Sequence, residues 1–374
     1  MKLIHIVENL EKGAVENWLV SVFLNSRELR TEWSWTFYCI LGKPGRLDER
    51  VRQAGGTIIY APCSISDKMK FLKHLRTTLV IGQYDIIHAH HDFLSGFYML
   101  AAMGLPGRKL IHVHNNDHAV PVGSQALRKI LLPMLRRSCF WLADDIVAIS
   151  EFTREDFKNN YSGNKPRFHV LYYGIDMMKF DIPADPVKLR MSYGMPADAR
   201  VLLFTGRMIR EKNPVYVVDI LNALLQLRPD VYALFIGNGE QREVVLARAD
   251  ELGVQEHVRV VGWSDNIAAT MKSVDVFVFP RHEFPKEGLG LVVVEAQCAG
   301  LPVFLSHGIV KDAVVIEALA CYLNLDDPKD WATQIHKVLN DSPRVSRDQA
   351  LRSMMGSKFS LNHSTKKLID LYEN

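Results

Sequence analysis

Arg200-Val201-Leu202-Leu203-Phe204-Thr205-Gly206-Arg207-Met208-Ile209-Arg210-Glu211-Lys212-Asn213-Pro214 is the stretch that decides the fold. An apolar, β-branched run stops at a glycine. A loop bearing cations follows, and a helical pattern over Asn213–Leu227 takes over. A parallel sheet presents its ligand-binding loops in this way, at the carboxyl ends of its strands. Arg207 and Lys212 stand in that loop. A guanidinium can grip a diphosphate through two hydrogen bonds, and an ammonium adds a compact charge. Taken alone, the pair also fits two solvated surface cations.

The same alternation extends in both directions. Upstream, Lys2–Val7, Trp33–Ile40, Thr57–Tyr60, Asp85–Ala89, Lys109–His114 and Asp145–Ile149 read as strands. Helical patterns fill the gaps at Glu16–Leu24, Lys68–Leu79 and Gln125–Leu142. The pattern restarts with Arg200–Thr205, Val231–Ile236, Val258–Val261, Asp275–Phe279 and Pro302–Leu305 as strands. Gln241–Leu252, Leu291–Ala299, Trp331–Leu339 and a last segment, Thr365–Tyr372, read as helices. This alternation predicts an α/β protein of two doubly wound, Rossmann-like domains, each a parallel sheet with helices on both faces. The hinge falls between Tyr173-Gly174-Ile175-Asp176 and Pro183-Ala184-Asp185-Pro186. The domains expected are 1–178, 179–357 and a C-terminal helix over 358–374.

Composition agrees with two full cores. The chain has 374 residues, 48% hydrophobic and 23% charged. A net charge of +3 gives no reason to expect nucleic acid as partner. No apolar run reaches the roughly 18 residues that a bilayer span needs. The apolar start, Met1-Lys2-Leu3-Ile4-His5-Ile6-Val7, is followed at once by Glu8 and reads as a buried strand rather than a signal peptide. Cys39, Cys63, Cys139, Cys298 and Cys321 are odd in number and show no Cys-x-x-Cys spacing. That argues against a disulfide framework and a structural zinc site, and for the cytoplasm.

A second constellation lies at Glu287-Gly288-Leu289-Gly290-Leu291-Val292-Val293-Val294-Glu295. Gly288 and Gly290 let backbone N–H groups approach a ligand, and those groups open a helix suited to a phosphate or sugar oxygen. Each carboxylate can accept hydrogen bonds from sugar or ribose hydroxyls without a metal. The blander reading is an ordinary glycine-opened helix with solvated acids.

These two signals in this order resemble the retaining glycosyltransferases of family 4, which have the GT-B fold. The resemblance covers nearly the whole chain. Asp144-Asp145-Ile146-Val147-Ala148-Ile149-Ser150-Glu151 is similar to the family's strand-and-serine segment. Tyr172-Tyr173-Gly174-Ile175-Asp176 resembles its interdomain stretch, with Tyr173 in place of the commoner Asn. Ile236-Gly237-Asn238-Gly239-Glu240 and Val261-Gly262-Trp263 resemble its next two strand-end turns. The resemblance implies domains facing across a cleft and a C-terminal helix that crosses back to the first domain. It implies that Arg207 and Lys212 hold the donor diphosphate. Glu287 then contacts the donor sugar beside the N–H groups of Gly288, Leu289, Gly290 and Leu291. Glu295 binds the ribose, and Trp263 and Ser264 lie near the base. His114 matches the family's cleft-facing histidine. With Arg207, Lys212 and Glu287 it makes the expected catalytic set. His90, Asp92 and Glu16 are the acceptor-side candidates.

Two departures stand out. Gly13-Ala14-Val15-Glu16-Asn17-Trp18-Leu19 is similar to the family's Gly-Gly-Val-Glu-Thr-Trp-Leu loop, in which a backbone N–H reaches donor phosphate or acceptor, but Ala14 replaces the second glycine. A positive φ there costs about 1 kcal/mol or more for alanine. The segment Arg281-His282-Glu283-Phe284-Pro285-Lys286 before Glu287 is longer and more charged than the family's usual one.

The expected chemistry is transfer of a hexosyl group from a UDP- or GDP-type nucleotide sugar to a glycan, lipid-linked or small-molecule hydroxyl, with retention and without a metal. No Asp-x-Asp triplet is present to clamp a metal diphosphate. His88, His90 and His91, then His112, His114 and His118, form two groups. Their spacing without a carboxylate set argues for hydrogen bonding rather than for metal. The basic segments 68–79 and 125–142 are amphipathic, which allows either peripheral contact with the inner face of a membrane or plain solvation. Rival readings are weaker. A nicotinamide fingerprint fails at Arg242, where a third glycine is needed after Gly237 and Gly239. No pyridoxal lysine can be located for a phosphorylase. A GT-B epimerase or a non-catalytic sugar-binding protein would not need the full set Arg207, Lys212, Glu287 and Glu295.

Overall fold

The computed structural model describes residues 1–11, 13–114, 125–159, 161–163, 165–342 and 345–374, with the side chains of 125–130 also left aside. His118 lies outside the described residues. The chain forms two compact units, Met1–Ile175 with Lys358–Asn374, and Asp176–Ser357. The division falls slightly before the boundary expected after residue 178. Asp176 accepts a hydrogen bond from the Met178 N–H (3.2 Å) and so caps the turn Met177–Phe180. That turn, with Met177 and Phe180 buried, belongs to the second unit.

The first unit holds β1 (Lys2–Val7), β2 (Ser34–Cys39), β3 (Thr57–Tyr60), β4 (Ile86–Ala89), β5 (Arg108–Val113), β6 (Asp145–Ala148) and β7 (Arg167–Val170). They pair in parallel in the order β3-β2-β1-β4-β5-β6-β7. In the second unit β8 (Arg200–Thr205), β9 (Val231–Ile236), β10 (Val258–Val261), β11 (Val276–Phe279), β12 (Val303–Ser306) and β13 (Ala320–Leu323) form a parallel sheet in the order β10-β9-β8-β11-β12-β13. The central strands are buried on both faces, which is why they read as apolar runs without alternation. One buried or nearly buried aspartate secures each sheet. Asp145 pairs with Arg108, Arg167 and His169, and Asp275 pairs with Arg190 and Arg200.

β7 and β13 escaped the sequence reading. Both lie at a sheet edge and are only partly buried; Arg167 and His169 interrupt any apolar run in β7, and β13 is apolar but only four residues long, following directly on the turn Glu317–Leu319. The strand order reverses beside β1 and β4 in one unit, and beside β8 and β11 in the other. Loops leaving the carboxyl ends of those strands diverge and open a crevice for a ligand.

The last helix, Leu361–Glu373, packs in the first unit, as the family resemblance implies. It buries Leu368, Ile369 and Tyr372, and contacts the helix Ala14–Leu29. Trp18 Nε1 donates to Ser364 Oγ (2.9 Å), and Ser364 Oγ donates to the Tyr172 carbonyl (2.8 Å). Gly174 is needed where the tail crosses. A Cβ there would stand 2.8 Å from Leu361 Cα.

Candidate active site

Three loops at the carboxyl ends of β8, β9 and β10 are knitted together by backbone contacts. Gly206 N donates to the Ile236 carbonyl (3.0 Å), Gly237 N to Val261 (3.2 Å) and Met208 N to Asn238 (2.8 Å). Gly206 and Gly237 have φ of 137° and 141°, and a Cβ on Gly237 would collide with the Gly206 carbonyl. Glycine is therefore required at position 237 by both backbone conformation and close approach.

This frame aims Lys212. The turn Arg210–Lys212 ends at Asn213 in the left-handed region (φ 52°), and Pro214 starts the next helix. The Lys212 ammonium sits over the Phe279 ring at 5.2 Å and 4.0 Å from Glu287 Oε1. Burial draws its pKa below the ordinary lysine range, Glu287 pulls the other way, and the fields of Arg281 and Arg207 lower it further. Arg207 itself is exposed at the loop, so its guanidinium is open to a ligand.

Glu287 is held from several sides. Its N–H donates to the Gly308 carbonyl (2.9 Å). Its Oε2 is 2.7 Å from Arg281 Nη1, close enough for an ion pair although not aligned as a hydrogen bond. Arg281 is almost wholly buried and also donates through Nε (3.2 Å) and Nη2 (2.9 Å) to the Pro285 carbonyl. Its own carbonyl accepts from Ser306 Oγ. The unusual charged insert is thus an arginine clamp on Glu287. The sequence reading marked the segment but not the residue. The usable signal was an arginine in the loop leaving an apolar strand, a few residues before the glutamate.

Gly290 adopts φ 82° and opens the helix Leu291–Cys298. Leu289 is buried, whereas Gly288 and Leu291 are partly exposed. Glu295, inside that helix, has its carboxyl pushed up to about 7 by burial, against a lowering influence from Lys179. Trp263 follows β10 and is 72% exposed, a free indole face at a strand end. Ser264 Oγ accepts from Asn266 N (3.1 Å), which makes it a turn residue in this state.

In the first unit, Gly13 precedes the helix Ala14–Leu29 with φ −82°. Ala14 is helical, so the replacement of glycine there brings no left-handed strain. The Glu16 carboxylate folds back onto Gly13, where a Cβ would displace the tip of that flexible side chain. Burial raises the Glu16 pKa, its backbone hydrogen bond lowers it, and Glu8 and Glu11 raise it further. Asp92, at φ 46°, accepts from His114 N (2.6 Å). His114 Nδ1 bonds to the Tyr173 hydroxyl, and His90 Nε2 lies 3.0 Å from His5 Nδ1. Tyr173, noted from sequence only as a departure, is buried and orients His114. His5 was missed altogether because strand β1 gave no chemical signal beyond its apolar run.

The structure therefore gathers Lys212, Glu287 and the Gly290 turn, with Arg207 within electrostatic reach of Lys212, in the second unit. In the first it gathers His90, Asp92 and His114 around the ends of β4 and β5, with Gly13 and Glu16 at the end of β1.

Comparison with known proteins agrees with this architecture. The family model described as Glycosyltransferase Family 4 matches residues 26–179, and Glycosyl transferases group 1 matches residues 188–355. A D-inositol 3-phosphate glycosyltransferase of Thermobispora bispora is 28% identical over 307 residues, spanning 78% of this chain and 71% of the relative. The crystal structure of Anabaena HepE in complex with UDP superposes with a TM-score of 0.82 at 17% identity, over 100% of both chains. WaaG, a glycosyltransferase involved in lipopolysaccharide biosynthesis, gives 0.74 at 17% identity over 100% of this chain and 99% of its own. Two Rossmann-like parallel-sheet domains with these loops define a GT-B enzyme. Both halves of the sequence fall to glycosyltransferase models, and the chain belongs to the family 4 glycosyltransferases, enzymes that transfer sugars.

Proposed function

We propose that the protein moves a hexosyl group from a nucleotide diphosphate sugar, of UDP or GDP type, to an acceptor hydroxyl, with retention and without a metal. The observation that carries this reading is the largely buried Lys212 ammonium 4.0 Å from Glu287, beside a glycine-opened helix. A buried cation with only a distant carboxylate partner is suited to a developing diphosphate charge. Arg207 and the N–H groups of Gly288 to Leu291 complete the anion site in place of a metal. Glu287 receives hydroxyls of the sugar, Glu295 the ribose, and Trp263 with Ser264 the base. UDP and UDP-glucose complexes of HepE support the donor class.

Gly13 approaches the donor, His114 faces the transferred sugar, and His90, Asp92 and Glu16 receive the acceptor, a glycan, a lipid-linked saccharide or a small molecule. Departure and attack take place on one face of the sugar, and the leaving phosphate takes the acceptor proton. An α-linked donor thus yields an α-linked product. The five cysteines are unpaired, which suits a reducing cytoplasm. No helix among the described residues is long and apolar enough to cross a membrane. Exposed Met69 and Ile81 beside Lys70 and Lys73, and exposed Trp141 and Met134 beside Arg137, support contact with an anionic bilayer surface.

Lys212→Ala is expected to reduce turnover by about 10²–10³-fold, the scale of losing one preorganised charge-stabilising group, while far-UV circular dichroism stays unchanged. Full activity in the folded variant would refute the assignment. Donor class is checked by thermal shift against nucleotides and nucleotide sugars, where a tenfold excess over the dissociation constant stabilises by about 1.4 kcal/mol.

A further inference from the structure

Five histidines stand side by side on one face of the first sheet. In the β1–β4 register His5 lies beside His88, and the β4–β5 register, continued past Ala89 and Ile111, brings His90 beside His112. His112 and His114 are two residues apart and share a face. Ring centroids are 5.3 Å apart for His90 and His112, 4.4 Å for His112 and His114, and 5.5 Å for His90 and His114. All five are buried, and burial holds each imidazole neutral. Neutral imidazole is the form that ligates metal.

Their hydrogen bonds are incomplete. His90 Nδ1, His114 Nε2 and both ring nitrogens of His112 find no hydrogen-bond partner among the described residues. Leaving such groups buried and unmet is costly. From these three rings one nitrogen apiece can be chosen so that all lie within 4.8 Å of one another.

We infer that His90, His112 and His114 form a site for one late first-row transition-metal ion, of the Zn²⁺, Co²⁺ or Ni²⁺ class. Three neutral nitrogens, with no carboxylate grouped with them among the described residues, select these ions over Mg²⁺ or Ca²⁺. With metal–nitrogen bonds of about 2.0–2.1 Å, the rings need to close by roughly 1.5 Å at most. The outer contacts of the site already exist. His5 holds the opposite nitrogen of His90, and the Tyr173 hydroxyl holds the opposite nitrogen of His114. Such partners orient metal-ligating imidazoles. The alternative triad His5, His88 and His90 also satisfies the distance condition. Two of its three members, His5 and His88, are fully buried, whereas the first triad has one such member, His112. His90 and His114 retain 5% and 6% exposure at the strand ends, which gives an ion its entrance. The ion occupies the nitrogens that His90 and His114 otherwise turn to acceptor and sugar, so metal and those substrates exclude one another there; the donor diphosphate, met in the second unit, does not involve it.

The test is direct binding to full-length protein stripped with EDTA and does not depend on transferase activity. Added Co²⁺ is expected to bind at one per chain, with the intense visible bands of a four- or five-coordinate ion, to raise the melting temperature, and to be displaced by Zn²⁺. His112→Gln should weaken binding at least 100-fold, more than the 10–100-fold typical of losing an outer contact. His88→Gln, checked by circular dichroism alongside it, should bind as the parent does. Absence of stoichiometric Co²⁺ in the parent protein overturns the site, and this measurement requires no variant to fold. Equal loss in His88→Gln, or undiminished binding in His112→Gln, overturns the choice of ligands.

Discussion

Arg281 Nη1 lies 2.7 Å from Glu287 Oε2, and the arginine side chain is only 8% exposed. Replacing Arg281 by Met leaves Glu287 facing Lys212 alone at 4.0 Å. Breaking a largely buried pair from one side strands the other charge. Because Glu287 is 21% exposed, we expect a loss of about 1–3 kcal/mol in urea unfolding rather than the full penalty. Adding Glu287→Gln should recover much of that loss in a double-mutant cycle, and strictly additive effects would remove the clamp from the account. Glu295 makes a pH prediction. Burial pushes its carboxyl up to about 7, from an ordinary glutamate value of 4.5. The folded state therefore holds the proton more tightly between those values, and stability falls as pH rises through that window. Glu295→Gln should flatten this decline and gain on the order of 1–3 kcal/mol over the parent above pH 7. Parallel denaturation curves for parent and variant from pH 5 to 8 would show the burial to be without consequence. The cation pair and both glutamates were legible in the sequence because each sits at a fixed offset from a glycine and an apolar strand. Arg281 was not, since its partner is defined by how an irregular insert folds back.

At the level of single elements, the turns are tighter than the helices. A Cβ at Gly237 meets the Gly206 carbonyl in a backbone of φ 141°, while at Gly290 (φ 82°) the nearest atoms stand 3.6 Å or further away. Gly237→Ala should thus cost more than about 3 kcal/mol, combining strain with a backbone clash, and Gly290→Ala only about 1–2 kcal/mol. Chemical denaturation ranks them, and equal losses would contradict the close approach of the two loops. Periodicity found the central strands within a residue or so at each end. It failed at β7, where Arg167 and His169 interrupt the apolar run, and at β13, whose four apolar residues are too short a run to tell strand from helix. The left-handed strain considered for Ala14 is absent for a local reason, because the helix begins at that residue.

For the whole molecule, the two units are built from chain in different ways. Asp176–Ser357 is continuous, whereas the first unit needs both ends of the polypeptide. The tail supplies Tyr372, whose hydroxyl lies 2.6 Å from His88 Nδ1, and the Leu371 carbonyl, which accepts from Arg108 (2.6 Å). A fragment spanning 176–357 is expected to melt cooperatively by itself. A fragment spanning 1–175 should not, until a peptide of residues 358–374 is added in trans. Cooperative unfolding of 1–175 alone would show the tail to be an accessory. Family resemblance placed the tail correctly, but nothing in residues 358–374 themselves names the surface they cover.

Residue order alone determined the alternation of strand and helix, and with it two parallel sheets whose loops after β8 and β11 carry Arg207, Lys212 and Glu287. Those features are local: each depends on a run of apolar side chains and the glycine or proline that ends it. The arginine clamp on Glu287, the convergence of five histidines from β1, β4 and β5, and the joining of residues 1–175 to 358–374 were decided only in three dimensions. Strand register and tail docking bring together groups that the chain keeps far apart, and a register is set by the packing of whole faces rather than by any one stretch of sequence.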